Sequence, residues 1–183
     1  MCKPLLNLTP AALLLLMVTS SVQAASNAQM IITASVVAAA CDVSLSTSNL
    51  DLGNYTPSDF SGVANPISAS KKQFIVGISN CQTPLAANDI AQLTITGQTL
   101  AGNPTLFNSN NTNTGVMLSQ VSTPTDYLKN GDVLSVATAG GTPSTEDFNG
   151  KTLSLQAGLA ATTTSGINFG AVNAPILFSF TYN

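Results

Sequence analysis

The chain has no histidine, no tryptophan and no arginine, and only 7% of its 183 residues are charged. Each absence removes a class of function. Without an imidazole, the Ser-His-Asp and Cys-His arrangements lack the base that takes the nucleophile's proton. A glycosidase needs two carboxyls facing each other across a sugar, and the only closely spaced acids are the neighbours Glu146 and Asp147, which read as a solvated turn. Zinc and redox sites are poorly served by a chain with no CxxC and no His. Phosphate loops, GxGxxG turns and calcium-loop acid clusters are also missing. Three Tyr, seven Phe and no Trp make a weak sugar platform. No catalytic residue, metal site or cofactor is therefore assigned.

The cationic residues are as sparse. Lys3 gives a positive start to an export-type leader: residues 11–18 (AALLLLMV) form an apolar stretch, and Val22-Gln23-Ala24 offers small residues for cleavage. The stretch is too short to span a bilayer. Residues 1–24 are thus expected to be a signal peptide, and residues 25–183 one domain-sized mature chain. Four lysines then face eight acidic residues, a formal charge of −4, which argues against nucleic acid as a partner. The pair Lys71 and Lys72 reads as a solvated strand entrance. Cys2 leaves with the leader, so Cys41 and Cys81 remain and are expected to form one disulfide in an oxidising compartment.

What the chain does contain is period-two alternation. Strands are predicted at residues 30–37, 41–45, 50–53, 73–79, 93–97, 116–121, 133–137 and 153–159, and at the closing run Ile176–Tyr182. Turn-rich loops are predicted at 56–65, 102–115, 140–150 and 162–170. Within the third of these, Ser144 followed by Asp147 resembles a weak helix cap, but Gly and Pro crowd it and the segment is read as irregular. No helix is predicted. Short strands with one long-range disulfide point to an antiparallel immunoglobulin-type sandwich. Two apolar alternating segments lie at the ends of the mature chain, 30–36 and Ile176–Tyr182, and both pairing within one closed sandwich is the simplest arrangement.

Several segments are also similar to a known family. "VVAAACDVSL" (36–45), "LDLGNY" (50–55), "FIVGISNC" (74–81) and "TGVMLSQ" (114–120), with Gly170 fourteenth from the end and a penultimate Tyr182, resemble the pilin subunits of the chaperone–usher pathway, most closely the type 1 fimbrial subunits. The resemblance implies an all-β, incomplete immunoglobulin-like sandwich, missing its seventh strand, at 41–183, with an N-terminal donor-strand extension at 25–40. It implies a structural, non-catalytic subunit of an adhesive fimbria. Its partners would be a periplasmic pilus chaperone, an outer-membrane usher and other pilin subunits, and it would end in an extracellular fimbrium with no membrane span. The donor face would comprise Ala28, Met30, Ile32, Ala34 and Val36. Gly170, Ile176, Phe178, Phe180 and Tyr182 would border the groove and bind the chaperone. The family often has Gly where this chain has Ala34. A small secreted adhesin or carbohydrate-binding domain with a closed sandwich is the alternative expectation.

Overall fold

The computed structural model describes residues 40–110 and 112–183. The leader at 1–24 and the donor face from Ala28 to Val36 lie outside the described residues. Ten strands are present among the described residues: β1 (Asp42–Leu45), β2 (Lys72–Ser79), β3 (Ile90–Gly97), β4 (Thr99–Leu100), β5 (Asn103–Phe107), β6 (Thr114–Gln120), β7 (Thr123–Tyr127), β8 (Val133–Thr138), β9 (Thr152–Ala161) and β10 (Ile176–Tyr182). The helical residues among those described are three single 3-10 turns, at Pro57–Asp59, Ser68–Ser70 and Thr145–Asp147. None is long and apolar enough to cross a membrane.

The strands form two antiparallel sheets. The larger runs β1-β2-β9-β6-β5-β4 with β7 also paired to β6, and the smaller runs β10-β3-β8. Alternation dictates which side chains meet between them. In β3, Ala91, Leu93 and Ile95 are wholly buried and the residues between them are not. Val76 and Ile78 of β2, Leu118 of β6 and Leu155 of β9 face them from the larger sheet, in one core with Phe148 and Phe178. Each of these side chains larger than alanine contributes about 1.5–3 kcal/mol by leaving water. The fold is an all-β, immunoglobulin-like sandwich.

The disulfide joins Cys41 to Cys81, 40 residues apart, with their Cα atoms 4.1 Å apart. It fixes the start of β1 beside the end of β2, and Ala40 accepts a backbone hydrogen bond from Gln82 at 2.9 Å. β1 itself pairs only four residues with β2, from Asp42 opposite Ser79 to Leu45 opposite Val76.

Three departures from the sequence reading stand out. Residues 50–53, expected as a strand, are extended but belong to neither sheet. The chain peels away after the Ser46 N–H bond to the Ile75 carbonyl, and no described strand lies alongside to complete a ladder. Residues 102–115, expected as a loop, contain β5 and enter β6. β7 is also additional. Pro104 and Pro124 lie within these strands, and proline normally demotes a segment because it cannot donate to a ladder. Here both strands lie on the side of β6 away from β9, toward the sheet's margin.

Candidate functional site

β10 is an edge strand of the smaller sheet: β3 is its neighbour on one side, and no described strand pairs with the other. Its hydrogen-bond phase follows from its end. Ile90 and Asn183 exchange both backbone bonds, at 2.7 and 3.2 Å. Antiparallel pairs alternate between bonded and non-bonded, and the register sets Thr181 opposite Gln92, Ser179 opposite Thr94 and Leu177 opposite Thr96. These three therefore bond to β3. The N–H and C=O groups of Ile176, Phe178, Phe180 and Tyr182 point to the free edge instead. Independent bonds agree with this phase: Gly97, opposite Ile176, donates to the Asn130 side chain at 3.0 Å, and Ile95, opposite Phe178, donates to Asp132 at 2.9 Å.

Beside that edge lies an open groove of about 1350 Å³. One wall is the unladdered stretch with Leu50, Leu52 and Tyr55; the other holds Ile176 and Phe178. Phe74, Val116, Leu118, Ala157 and Leu159 of the larger sheet form the floor. Phe60, Ile167 and Phe169 close one end, with Phe60 and Ile167 packed in a small core of their own. Among the described residues the lining carries one charged side chain, Asp51, and its carboxylate already accepts the Gly53 N–H at 2.9 Å. The turn at Gly53 has φ +98°, which favours glycine. Tyr55 folds back to donate to the Leu52 carbonyl at 2.9 Å. The groove is thus an apolar slot flanked by unpaired backbone, chemistry suited to an uncharged extended peptide.

The residues singled out in the sequence divide between the groove and the core beyond it. Gly170, with φ +137°, Ile176 and Phe178 line the cavity. Phe178 is 8% exposed and packs tilted on Phe74 with ring centroids 6.1 Å apart. Phe180 and Tyr182 do not line the cavity; they pack against the core beyond it. Tyr182 sits edge-on to Phe148 at 6.1 Å, donates its hydroxyl to Asp89 and accepts the Leu85 N–H at 2.7 Å. That donation, then the Ala86 N–H, holds the Asp89 carboxyl below the ordinary carboxylate range. Burial, then the Asp89 hydrogen bond, pushes the Tyr182 phenol up.

Sequence reasoning did not find the opposite wall or the closed end. Leu50 and Leu52 carried a signal, an alternating pair on an apolar face. Phe60, Ile167 and Phe169 come from irregular segments where no periodicity points inward. Outside the groove, Ser68 and Lys71 stand at the spacing of a Ser-Lys catalyst, but both are exposed beside a 3-10 turn. The described residues hold no cluster of metal-ligating side chains.

The family model for fimbrial proteins matches residues 30–183. The chain belongs to the fimbrial protein family, and is a structural pilus subunit. Among solved structures, it is similar to the crystal structure of the P pilus rod subunit PapA, with a TM-score of 0.53 and 18% identity over 85% of this chain and 99% of that one. A chaperone–usher pilus structure concerned with rod uncoiling gives a TM-score of 0.48 and 16% identity, over 87% of this chain and 97% of that one. No curated protein matches by sequence. The PapA likeness is one of fold; the family assignment rests on the family match.

Proposed function

We propose that the subunit polymerises by donor-strand exchange: the groove beside β10 receives an extended segment from another chain. In this reading a periplasmic chaperone lends the strand first, contacting β10, and at the outer-membrane usher the next subunit's residues 25–40 replace it. The product is an extracellular adhesive fimbria. Strand addition to a sheet edge is a general mode of recognition, of which chaperone–pilin pairs are a known instance.

The observation that carries the reading is the coincidence, at Ile176 and Phe178 of β10, of a free backbone edge with an apolar, nearly uncharged slot. The N-terminal segment has matching chemistry. Residues 25–41 carry no charged side chain, and alternation sets Ala28, Met30, Ile32, Ala34 and Val36 on one face of an extended strand. Burying Met30, Ile32 and Val36 is worth something like 5–9 kcal/mol before entropy costs, comparable to the stability of a whole domain. A one-residue slip would present Ile31, Thr33, Ser35 and Val37, a more polar face.

The test is a mature chain lacking residues 25–37, expressed with its chaperone. It should fold and still accept a strand, yet fail to extend a fibre as donor. Ordinary polymerisation by that truncation would contradict the proposal.

A further inference from the structure

Resting on the groove reading, we propose that Asn113 is a positioning residue of the site: by clasping Asn168 it holds the β9–β10 connection as a preformed rim, and so sets how fast an incoming strand is taken up. Residues 162–175 cross between the sheets with no ladder, and only Ile167 among them is buried. A segment with so little packing is ordinarily among the first to open. Phe169 is 87% exposed and nothing lies within 4 Å of a Cβ built on Gly170, so packing does not hold this part of the rim.

Hydrogen bonds from the β5–β6 loop hold it instead. Asn113 and Asn168 each accept the other's backbone N–H on Oδ1, at 2.8 and 3.1 Å. Asn113 Nδ2 donates to the Gly166 carbonyl at 2.8 Å, and its own carbonyl accepts the Thr162 N–H at 2.9 Å. Further along, Asn110 Nδ2 donates to Ala171 at 2.7 Å and the Ser109 N–H to Asn173 at 2.7 Å. The loop is in turn anchored by Asn108, 3% exposed, which donates to the Thr114 carbonyl at 2.6 Å and to Thr112 Oγ1 at 2.7 Å, and accepts the Asn110 N–H at 2.8 Å. A rim fixed beforehand spares an incoming strand the cost of ordering it.

The test uses the full disulfide-bonded chain and a fluorescent peptide of residues 25–37 (ASNAQMIITASVV), with amide exchange across 166–173 read in parallel. Asn113→Ala, and Asn168→Ala should the first fold poorly, are expected to raise exchange across 166–173 and to slow peptide uptake roughly tenfold. The dissociation rate of the loaded chain should stay at the wild-type value. Asn113→Asp keeps the acceptor for the Asn168 N–H and should recover part of the uptake rate. Unchanged exchange across 166–173 overturns the clasp, and raised exchange with unchanged uptake overturns its role in strand entry. A wild-type chain that takes up no peptide overturns the groove reading itself, and exchange across 166–173 then still decides the clasp.

Discussion

Tyr182 and Asp89 lock the last strand to the connection between β2 and β3: the phenol donates to the carboxylate and accepts the Leu85 N–H. Together with the backbone bonds between Ile90 and Asn183, this ties down the Tyr182 end of β10. β10 is therefore fixed at its Tyr182 end while its edge near Ile176 and Phe178 stands beside the open groove.

The pair predicts a pH window. The depressed Asp89 carboxyl contributes stability that is full above the ordinary Asp value of about 3.9 and is lost as pH falls through the lower folded value. The raised Tyr182 phenol contributes stability that is intact below about 10 and declines as pH rises past it, because the unfolded chain ionises first. Asp59, held down by the Thr56 N–H and then by the Thr56 hydroxyl, adds to the acid limb. Urea midpoints against pH should be flat between these limits as far as these groups go. Tyr182→Phe should flatten the alkaline limb and leave the part of the acid limb due to Asp59; an unaltered alkaline limb would count against the assignment.

Removing the disulfide should be costly. A bridge across 40 residues limits the unfolded chain and is worth roughly 2–4 kcal/mol. It also secures β1, whose only ladder among the described residues is its four pairs with β2. Urea denaturation of the Cys41→Ala, Cys81→Ala double variant should show a loss of that size, and reductant should reproduce it in the wild type. An unchanged midpoint would contradict this role.

Adjacent residues of β10 should respond in opposite ways to truncation. Phe178 is 8% exposed and packs on Phe74, whereas Leu177 is 62% exposed. Phe178→Ala is expected to cost about 3 kcal/mol or more, and Leu177→Ala about 0.5 kcal/mol or less. Thermal or urea unfolding of the two variants measures the contrast, and equal effects would mean the strand does not face the core as described.

Much of the sandwich was legible because most of its strands bury one face and so alternate. β2, β3, β6, β8 and β9 were found to within a few residues, and the bounds of β10 match the expectation. β5 (NPTLF) and β7 (TPTDY) were not legible, since each carries a proline and β7 buries none of its residues. Residues 50–53 misled for the opposite reason: Leu50 and Leu52 alternate as a strand does, but a ladder needs a neighbour that the described chain does not place there. The groove was half legible. Ile176 and Phe178 announce themselves by periodicity, while Phe60, Ile167 and Phe169 reach the site through irregular connections, whose geometry depends on side-chain bonds such as Asn113 to Asn168 that no local pattern encodes.

The most direct test of the central claim is residue-resolved amide exchange in a chain lacking residues 25–37, with and without the peptide of residues 25–37. Leu177, Ser179 and Thr181 bond to β3 and should be protected in both states. Peptide should newly protect Ile176, Phe178, Phe180 and Tyr182, whose N–H groups face the free edge, giving an every-second-residue pattern of change. If those four amides are unaffected by peptide, or are already protected without it, the groove beside β10 is not the place where another chain adds its strand.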